Sequence, residues 1–389
     1  MISNLHKKLA AIQTPSTSTI KASKTKLELD FSCSVFENSY DKDYLIGDTP
    51  LGNIFDRNIN SLLDVCFYKP DTNITLNDIV FFDTETTGLG SGTSTAAFLI
   101  GTGYFEGSKF ITKQFLMNDY HQESDMIQSL NSILANCKAV VSYNGKAYDS
   151  HIVNSRSILN RLPRMLNDKI HLDLLHSARR LYKRRLDRCS MGNIEENILN
   201  LKRVDDIPGS EIPEIFFNYI KYKDDTLLNK VLEHNLQDIV SMVAIVDTLL
   251  NAYNSPCTLN FKEDIYSQGL IFEKLDFPHK AKLCYNVLEN YPSAKLRLGY
   301  ISKSEGDYCA AIDYFSISSK MQKFDATADI ELAKIYEHKI KDYNKAMEHT
   351  KIALEKTSLF LSSSSDNLID EIKKRKLRLA NKQSSIRKE

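Results

Sequence analysis

Residues 81–89 read FFDTETTGL, so an apolar run passes directly into two carboxylates one residue apart, Asp83 and Glu85. The run 78–82 is short and rich in β-forming residues, which predicts a strand. Because side chains alternate between the two faces of a strand, Asp83 and Glu85 are expected to point the same way. Two anions this close need a compensating cation, and their hard oxygen atoms favour Mg²⁺ or Mn²⁺ over zinc. The alternative is a solvated strand end that binds nothing.

Two later segments contribute further polar residues. Residues 139–149, AVVSYNGKAYD, predict a second buried strand, a turn with a glycine, and then Asp149 where a helix could begin. His234 and Asp238 lie four residues apart in a long helical pattern, so they share one helix face. Each has a simpler explanation when taken alone: a helix cap for Asp149 and a surface pair for the other two. Together with the first segment, they predict one cleft lined by acids.

In these three segments the chain resembles the DEDD exonuclease superfamily, which has the ribonuclease H-like fold. The matching residues are Asp83, Glu85, Asp149 and Asp238. The resemblance implies that these carboxylates hold two divalent metal ions, Mg²⁺ or Mn²⁺, and that phosphodiester bonds are cut from a 3′ end. Asp83, at the strand end, is then the candidate to bridge both ions. His234, beside the last aspartate, is the candidate to accept the proton of the attacking water, since histidine suits proton transfer near neutral pH.

The third motif departs from the family pattern in its spacing. Members with a catalytic His usually place it five residues before the last Asp, whereas the four-residue spacing found here normally carries Tyr. His234 therefore has two interpretations: a general base, or a residue that only hydrogen-bonds and orients water or metal ligands. The resemblance also implies substrate contacts in the turn after the first motif and in the second motif: Thr86, Gly88, Leu89, Asn144 and Tyr148.

A closer match lies in four short segments between the second and third motifs: LDLLHSARRL at 172–181, RRL at 184–186, CS at 189–190 and DDIPGSEIP at 205–213. They are similar to the YprB family of predicted RNase H-like exonucleases. The resemblance covers about residues 40–255 and implies the nuclease fold there. Members of this family commonly carry tetratricopeptide repeats at the C-terminus, which implies helical repeats in the remainder of the chain.

The composition agrees with a two-part protein inside the cell. The chain of 389 residues exceeds the usual size of one core, and 42% of its residues are hydrophobic. The sequence has no run of about 18 apolar residues and no apolar signal core at its N-terminus, so we expect a cytoplasmic protein without a membrane span. The seven cysteines include no CxxC pair, which predicts reduced thiols rather than disulfides or a zinc site.

A cluster of basic residues follows the second motif. The formal net charge is zero, from 50 basic and 50 acidic residues, so affinity for nucleic acid must come from local patches. Residues 179–188 hold six basic side chains. On a helix, Arg180, Arg184 and Arg188 would share one face and form a ridge that contacts phosphates. The alternative is a solvated helix whose arginines pair with neighbouring glutamates.

The order of predicted elements gives the organisation of the first half. Five strands are predicted, at 78–83, 96–105, 109–116, 138–143 and 170–174. The first three suggest an antiparallel meander, and the others alternate with helices. We therefore expect an α/β, ribonuclease H-like domain at 76–255, with a mixed five-stranded sheet and flanking helices. Residues 1–28 predict a flexible basic arm, and residues 29–75 a lead-in segment that packs on this domain.

Beyond Pro256 the pattern becomes all-helical. Ala281, Ala311 and Ala346 recur at spacings of 30 and 35, each shortly after an aromatic residue. This rhythm predicts tetratricopeptide-like helical repeats at 260–360 that bind a protein partner, with a plain array of helical hairpins as the alternative. Residues 361–389 predict a basic tail, either a solvated helix end or a weak contact to nucleic acid.

These observations predict a metal-dependent 3′ to 5′ exonuclease that acts on DNA or RNA with a free 3′ end. Two alternatives stay open: a nucleic-acid-binding scaffold on the same fold with little turnover, and a repeat-based adaptor whose front domain is structural. The sequence does not distinguish DNA from RNA, single strand from duplex, or exonucleolytic from endonucleolytic cutting. It also leaves the oligomeric state open.

Overall fold

The structure is a computed structural model that describes residues 33–69, 72–88, 94–358 and 366–386. The chain divides into two compact units, Met1–Ser255 (unit 1) and Pro256–Glu389 (unit 2). The predicted basic arm at 1–28 lies outside the described residues, as do Leu89 and both ends of the predicted tail.

Unit 1 is built around a mixed sheet. Its described residues form the strands β1 (Ser34–Tyr40), β2 (Leu45–Ile46), β3 (Thr49–Pro50), β4 (Ile79–Thr86), β5 (Ala97–Glu106), β6 (Lys109–Leu116), β7 (Ala139–Ser142) and β8 (Ile170–Asp173). The main sheet has six strands in the order β1-β6-β5-β4-β7-β8, and β2 pairs separately with β3. β4 is antiparallel to β5 and parallel to β7, so the antiparallel and parallel halves of the sheet meet at β4. The mixed α/β fold class is as predicted.

β1 adds one strand to the five that the sequence predicts. It lies at the edge of the sheet and pairs antiparallel with β6 along its length. Its sequence, SVFENSY, mixes polar and apolar residues without strict alternation, so the pattern indicates a strand only weakly. An edge strand tolerates such residues, and Glu37 lies 3.3 Å from Lys113 of β6. Part of the predicted lead-in segment therefore belongs to the sheet.

Helices surround the sheet of unit 1. The described residues form α1 (Ser61–Val65), α2 (Glu123–Leu134), α3 (Asp149–Leu159), α4 (Leu174–Tyr182), α5 (Met191–Ile198), α6 (Ile212–Tyr222) and α7 (Leu228–Asn254). Short 3₁₀ helices lie at Leu51–Asp56, Leu76–Asp78, Tyr120–Gln122 and Met165–Asp168. α7 contacts β4, β5 and β6, so it runs across the antiparallel half of the sheet. This packing brings the predicted third motif, on α7, to the strand that carries the first.

β4 is buried on both faces before it reaches the acids. Its first four residues, IVFF, are all buried. Phe81 makes edge contacts with Phe105 and Phe110, at centroid distances of 6.4 and 5.6 Å. Phe82 belongs to a core cluster that also contains the stacked pair Phe98 and Phe216, whose ring centroids are 4.0 Å apart. A central strand covered on both faces explains the unbroken apolar run that precedes Asp83.

Among the described residues, one helix, α7, is long and apolar enough to cross a membrane by length and composition. In the structure 72% of its apolar window is buried inside the protein. A core helix of a globular domain meets the same criteria, and α7 is packed against the sheet.

Unit 2 is helical throughout its described residues. They form α8 (Lys262–Lys274), α9 (Pro278–Asn286), α10 (Pro292–Ser304), α11 (Tyr308–Met321), α12 (Thr327–Ile335), a π-helical turn (Tyr336–Ile340), α13 (Tyr343–Ser358) and α14 (Asp366–Ile386). Each helix packs on the next from α8 to α13, and α14 packs on α13.

Small residues let these helices approach closely. A Cβ atom added at Gly269 would lie 2.4 Å from the ring of Tyr285, and one at Gly299 would lie 2.6 Å from the ring of Phe315. The three alanines that recur in the sequence, Ala281, Ala311 and Ala346, are fully buried. The small-residue positions that recur in the sequence are therefore points of contact between helices.

The described part of the basic C-terminal segment, α14, is a helix packed on unit 2. Arg375, Arg378 and Lys382 lie 2.6, 2.7 and 2.9 Å from the carboxylate of Glu337. The Glu337 side chain is 0% exposed. Part of the positive charge of this segment is thus used to neutralise a buried acid, which the prediction of a basic tail did not anticipate.

Candidate active site

The two acids of the first motif face helix α7. Asp83 accepts a hydrogen bond at 2.9 Å from the side-chain amide of Asn235. Oε1 of Glu85 lies 4.0 Å from Nε2 of His234. Both partners belong to α7, so the alternation of side chains along β4 directs the two carboxylates to the same side, as predicted.

Asp149 begins α3 after a tight turn. It is 6% exposed and accepts a hydrogen bond from the hydroxyl of Thr84, the residue between the two acids of β4. Asn144, in the turn, has a positive φ of 68°, a conformation that asparagine tolerates better than most residues. A Cβ atom at Gly145 would lie 3.0 Å from Oδ2 of Asp149 and closer still to Ser142. The glycine therefore allows the turn to close on the aspartate.

The turn that carries Asp149 is held by Asp173, at the end of β8. Oδ1 of Asp173 accepts the backbone N–H of Asn144 at 2.9 Å, and its Oδ2 accepts that of Lys146 at 3.3 Å. Asp173 also caps α4 through the N–H of Leu175. It lies in a segment that resembles the YprB family, but its spacing alone did not identify it as a site residue.

His234 and Asp238 lie on one face of α7, as predicted. Nε2 of His234 is 3.8 Å from Oδ2 of Asp238. Its other nitrogen, Nδ1, lies 2.8 Å from Oδ1 of Asp206. Asp238 in turn forms an ion pair with Arg203. Arg203 and Asp206, in the loop between α5 and α6, therefore fix the side chains of the third motif.

Burial and mutual repulsion raise the pKa of the clustered carboxyl groups. The pKa of Asp83 lies well above its ordinary value, because of burial first and then the charges of Asp238 and Asp149. Burial, with the same two neighbours, also raises the pKa of Glu85 well above its ordinary value. Burial raises the pKa of Asp149 to about 6, although the hydrogen bond from Thr84 acts to lower it. The four acids thus lie close enough to repel one another, and a bound cation would relieve that repulsion.

Asn235 supports Asp83 from within the core, and sequence reasoning missed it. The Asn235 side chain is buried, and its Oδ1 accepts a hydrogen bond at 2.9 Å from Nε2 of Gln114 on β6. Gln114 also donates to the carbonyl of Leu232 at 2.8 Å. On β5, Gly101 leaves room for the amide, since a Cβ there would lie 2.2 Å from Oδ1 of Asn235. The signal available was the position of an asparagine between His234 and Asp238.

The predicted substrate contacts of the first two motifs lie together. The hydroxyl of Tyr148 donates to the carbonyl of Gly88 at 2.6 Å and lies 3.2 Å from the hydroxyl of Thr86. Thr86 also donates to the carbonyl of Gly88 at 2.8 Å. Asn144 lies in the turn before Tyr148, while Leu89 is outside the described residues. These contacts join the end of β4 to the start of α3.

The predicted basic ridge is not a helix face. α4 ends at Tyr182, so Arg184 and Arg188 lie beyond the helix that carries Arg180. Arg180 turns inward: it donates to the carbonyl of Val65 at 2.8 Å, and its guanidinium lies 4.2 Å from the ring centroid of Phe67. The shared face was therefore a wrong expectation.

The physical reason lies in charge and burial. A continued helix would stack like charges four residues apart, which is unfavourable. The chain instead turns after Tyr182 and buries Leu186 and Cys189. Arg184 and Arg188 are exposed, so a role in binding substrate stays a prediction for these two.

The donor chemistry of the site fits a hard divalent cation. All four motif acids offer carboxylate oxygens, which Mg²⁺ and Mn²⁺ prefer. The raised pKa values of Asp83 and Glu85 mark carboxyl groups whose charge is poorly compensated. Over the ranges that the structure describes, however, no three His, Cys, Asp or Glu side chains stand in a preformed metal-binding group. The four carboxylates lie near one another, and the distances between them would have to shorten for a metal ion to bind.

Comparison with known proteins agrees with this fold. Residues 80–250 match a family model described as RNase H superfamily. The chain belongs to the RNase H superfamily, whose members are generally nucleases, and this indicates hydrolysis of nucleic acid. It is similar to a protein of Bacillus subtilis (strain 168) called "Uncharacterized protein YprB", with 34% identity over 289 residues. That match covers 70% of this chain and 68% of the relative.

Proposed function

We propose that unit 1 is a DEDD-type exonuclease that hydrolyses phosphodiester bonds of DNA or RNA from a free 3′ end with two Mg²⁺ or Mn²⁺ ions. One observation carries the proposal: four acids from three separate segments, Asp83, Glu85, Asp149 and Asp238, lie within electrostatic reach of one another on buried elements. Burying that much like charge is costly unless the site binds a cation.

Each residue of the site has a distinct role in this proposal. Asp83, Glu85, Asp149 and Asp238 would hold the cations, which would activate water and neutralise the phosphate oxygens. His234 is supported as the proton acceptor by its position, since Nδ1 lies against Asp206 and Nε2 faces Glu85 and Asp238.

Thr86, Gly88 and Tyr148 would border the site where the terminal nucleotide is bound. Their hydrogen bonds fix the backbone carbonyl of Gly88 between the first two motifs. A rigid edge beside the acids would orient the phosphodiester for in-line attack. Asn144, Arg184, Arg188 and Leu89 are the remaining residues that we propose as substrate contacts.

The test is degradation of 3′-labelled and 5′-labelled single-stranded DNA and RNA with Mg²⁺ or Mn²⁺. Wild type is compared with Asp83→Asn and Asp238→Asn, and with Asp43→Asn as the control at an exposed position of unit 1. We expect a ladder that shortens from the 3′ end for wild type and the control, and no cleavage for the two site variants or with chelator. Cleavage by either purified site variant would exclude the two-metal mechanism.

A second candidate function is binding of nucleic acid with little turnover. The observation that favours it is the ion pair between Arg203 and Asp238, which takes up one oxygen of a motif acid. Binding of labelled single strands without any cleavage, in either metal, would support this candidate over the first.

For unit 2 we propose tetratricopeptide-like repeats that recruit a protein partner in the cytoplasm. The support is the succession of closely packed helices with buried alanines and glycines at their contacts. Capture experiments with full-length Asp83→Asn separate recruitment from chemistry: an adaptor keeps its partner when the nuclease site is disabled.

A further inference from the structure

Arg203 is fixed beside the third motif by a buried acid. Nε of Arg203 lies 2.5 Å from Oε2 of Glu195, and Nη2 lies 2.7 Å from Oε1, so the guanidinium binds the carboxylate with two parallel hydrogen bonds. The Glu195 side chain is 0% exposed and also accepts a hydrogen bond from the hydroxyl of Ser241. Such a two-pronged contact with a buried partner leaves the arginine little freedom to move.

The remaining donors of Arg203 point at the site. Nη2 donates to Oδ1 of Asp238. Nη1 lies 3.3 Å from Oδ2 of Asp206 and 3.3 Å from Nδ1 of His234. The Arg203 side chain is only 14% exposed, so these contacts are poorly screened by water. A permanent positive charge is thus attached to one oxygen of a proposed metal ligand.

We propose that Arg203 is the resident counter-cation of the carboxylate cluster: it compensates Asp238 in the metal-free protein and competes with a divalent ion for that carboxylate. The inference rests on the proposed metal-dependent function. It makes Arg203 a positioning residue, because it acts through Asp238 and is itself fixed by Glu195. It follows that a metal ion binds at Asp238 with lower affinity than the presence of four acids would suggest.

The charges of Arg203 and Glu195 predict opposite effects of two variants. Removing both in Arg203→Met/Glu195→Gln frees Oδ1 of Asp238 for a metal ion and does not leave the buried carboxylate of Glu195 without its partner. Because the arginine lies closer to Asp238 than the glutamate does, we expect Mn²⁺ to bind roughly fivefold more tightly. Glu195→Gln alone leaves the arginine uncompensated beside Asp238, and we expect Mn²⁺ to bind roughly threefold more weakly.

The experiment is calorimetric titration of the full-length protein with Mn²⁺ alone, together with the rise in melting temperature that Mn²⁺ causes. Arg203→Lys retains the charge but cannot make the two-pronged contact with Glu195, so its Mn²⁺ affinity is expected to lie between those of wild type and the double variant. Lys202→Met, which removes a positive charge at the adjacent exposed position, is the matched control. Tighter binding in the double variant together with weaker binding in Glu195→Gln supports the inference.

Equal or weaker Mn²⁺ binding by the folded double variant overturns the inference. If the double variant does not fold, the result for Glu195→Gln decides. Equal or tighter Mn²⁺ binding by Glu195→Gln than by wild type also overturns the inference.

A parallel cleavage assay separates the role of Arg203 from the proposed nuclease function. Metal-dependent cleavage by wild type with unchanged Mn²⁺ affinity in the variants removes only the role of Arg203. Failure of wild type both to bind Mn²⁺ and to cleave removes the proposed function, and this inference with it.

Discussion

The side-chain amide of Asn235 donates a hydrogen bond to Oδ2 of Asp83 at 2.9 Å, across 152 residues of sequence. It joins the N-terminal third of α7 to the C-terminal half of β4, and Gln114 fixes the amide from the other side. Because the amide oxygen is already occupied by Gln114, the Nδ2 group must face Asp83, and the asparagine cannot turn its acceptor to the acid. The orientation of Asp83 is therefore set by a buried chain of amides.

Replacing Asn235 with alanine should impair both folding and activity. The change removes the hydrogen-bond donor of Asp83 and one of the two acceptors of the Gln114 amide, which still donates to the carbonyl of Leu232. A buried group that loses its partner costs about 1–3 kcal/mol of folding free energy. We expect cleavage to fall at least about tenfold, because Asp83 loses its fixed orientation. Chemical denaturation and initial cleavage rates measure the two effects, with Asn229→Ala on the same helix as the control. Wild-type cleavage by a folded Asn235→Ala protein would contradict the role given to this amide.

Gly101 offers an independent test of the same contact. A Cβ atom at this position of β5 would lie 2.2 Å from Oδ1 of Asn235, so Gly101→Ala must displace the amide. We expect a loss of about 1–3 kcal/mol in stability, as for other overpacked cores, and reduced cleavage. Gly209→Ala is the control, because an added Cβ there meets nothing within 4 Å. If Gly101→Ala lowered stability while cleavage by the folded fraction stayed unchanged, the position of Asn235 would not govern Asp83.

The fold and the four acids could be predicted because their signals are local. A buried strand that ends in Asp83 and Glu85 is visible within ten residues, and so is the four-residue spacing of His234 and Asp238. The contacts that orient these acids are not local. Asn235 and Asp83 are 152 residues apart, and Arg203 and Asp238 are 35 apart. The periodicity of a helix or strand reports on residues within one element and gives no information about such distant pairs.

The basic cluster shows where a local pattern misleads. Six basic residues within 179–188 favour a helix ridge only if the helix continues, and α4 ends at Tyr182. Whether a helix continues depends on burial, here of Leu186 and Cys189, which spacing does not report. The sequence analysis did not predict strand β1, because an edge strand pairs with a neighbour on one side only and tolerates an irregular pattern of polar and apolar residues.

Asp206 should affect the chemical step through His234. Its Oδ1 lies 2.8 Å from Nδ1 of His234, so Asp206→Ala frees the imidazole to rotate away from Glu85 and Asp238. We expect kcat to fall roughly tenfold or more, within the range that general acid–base groups contribute, with a smaller change in KM. The neighbouring Asp205→Ala is the control, since its ion pair with Lys230 is exposed and contributes little. If Asp206→Ala and Asp205→Ala had equal kcat and KM values, the proposal that Asp206 positions His234 would be wrong.

The acid stability of unit 2 should depend on Glu337. Burial alone would raise the pKa of this carboxyl, but hydrogen bonds from Arg378 and Lys382 prevail and lower it from 4.5 to about 2. A carboxyl whose pKa is lower in the folded state stabilises the fold above its unfolded pKa. That contribution is fully present above about pH 4.5 and is lost as the pH falls towards about 2. Arg375 and His338 also lie near the carboxylate, at 2.6 and 3.4 Å.

Glu337→Gln removes the negative charge while keeping the shape, so three basic side chains of α14 lose their partner. We expect the variant to be less stable than wild type at pH 7 and the difference to shrink as the pH falls from about 4.5 towards 2, where the Glu337 carboxyl becomes protonated. Hydrogen-exchange protection of α12 to α14 in the full chain, followed from pH 7 to pH 2, measures this difference locally after correction for the intrinsic exchange rate. Glu348→Gln, at an exposed position of α13, is the control. A stability difference between wild type and Glu337→Gln that stayed constant down to pH 2 would mean that the ion cluster on Glu337 does not link the folding of unit 2 to pH.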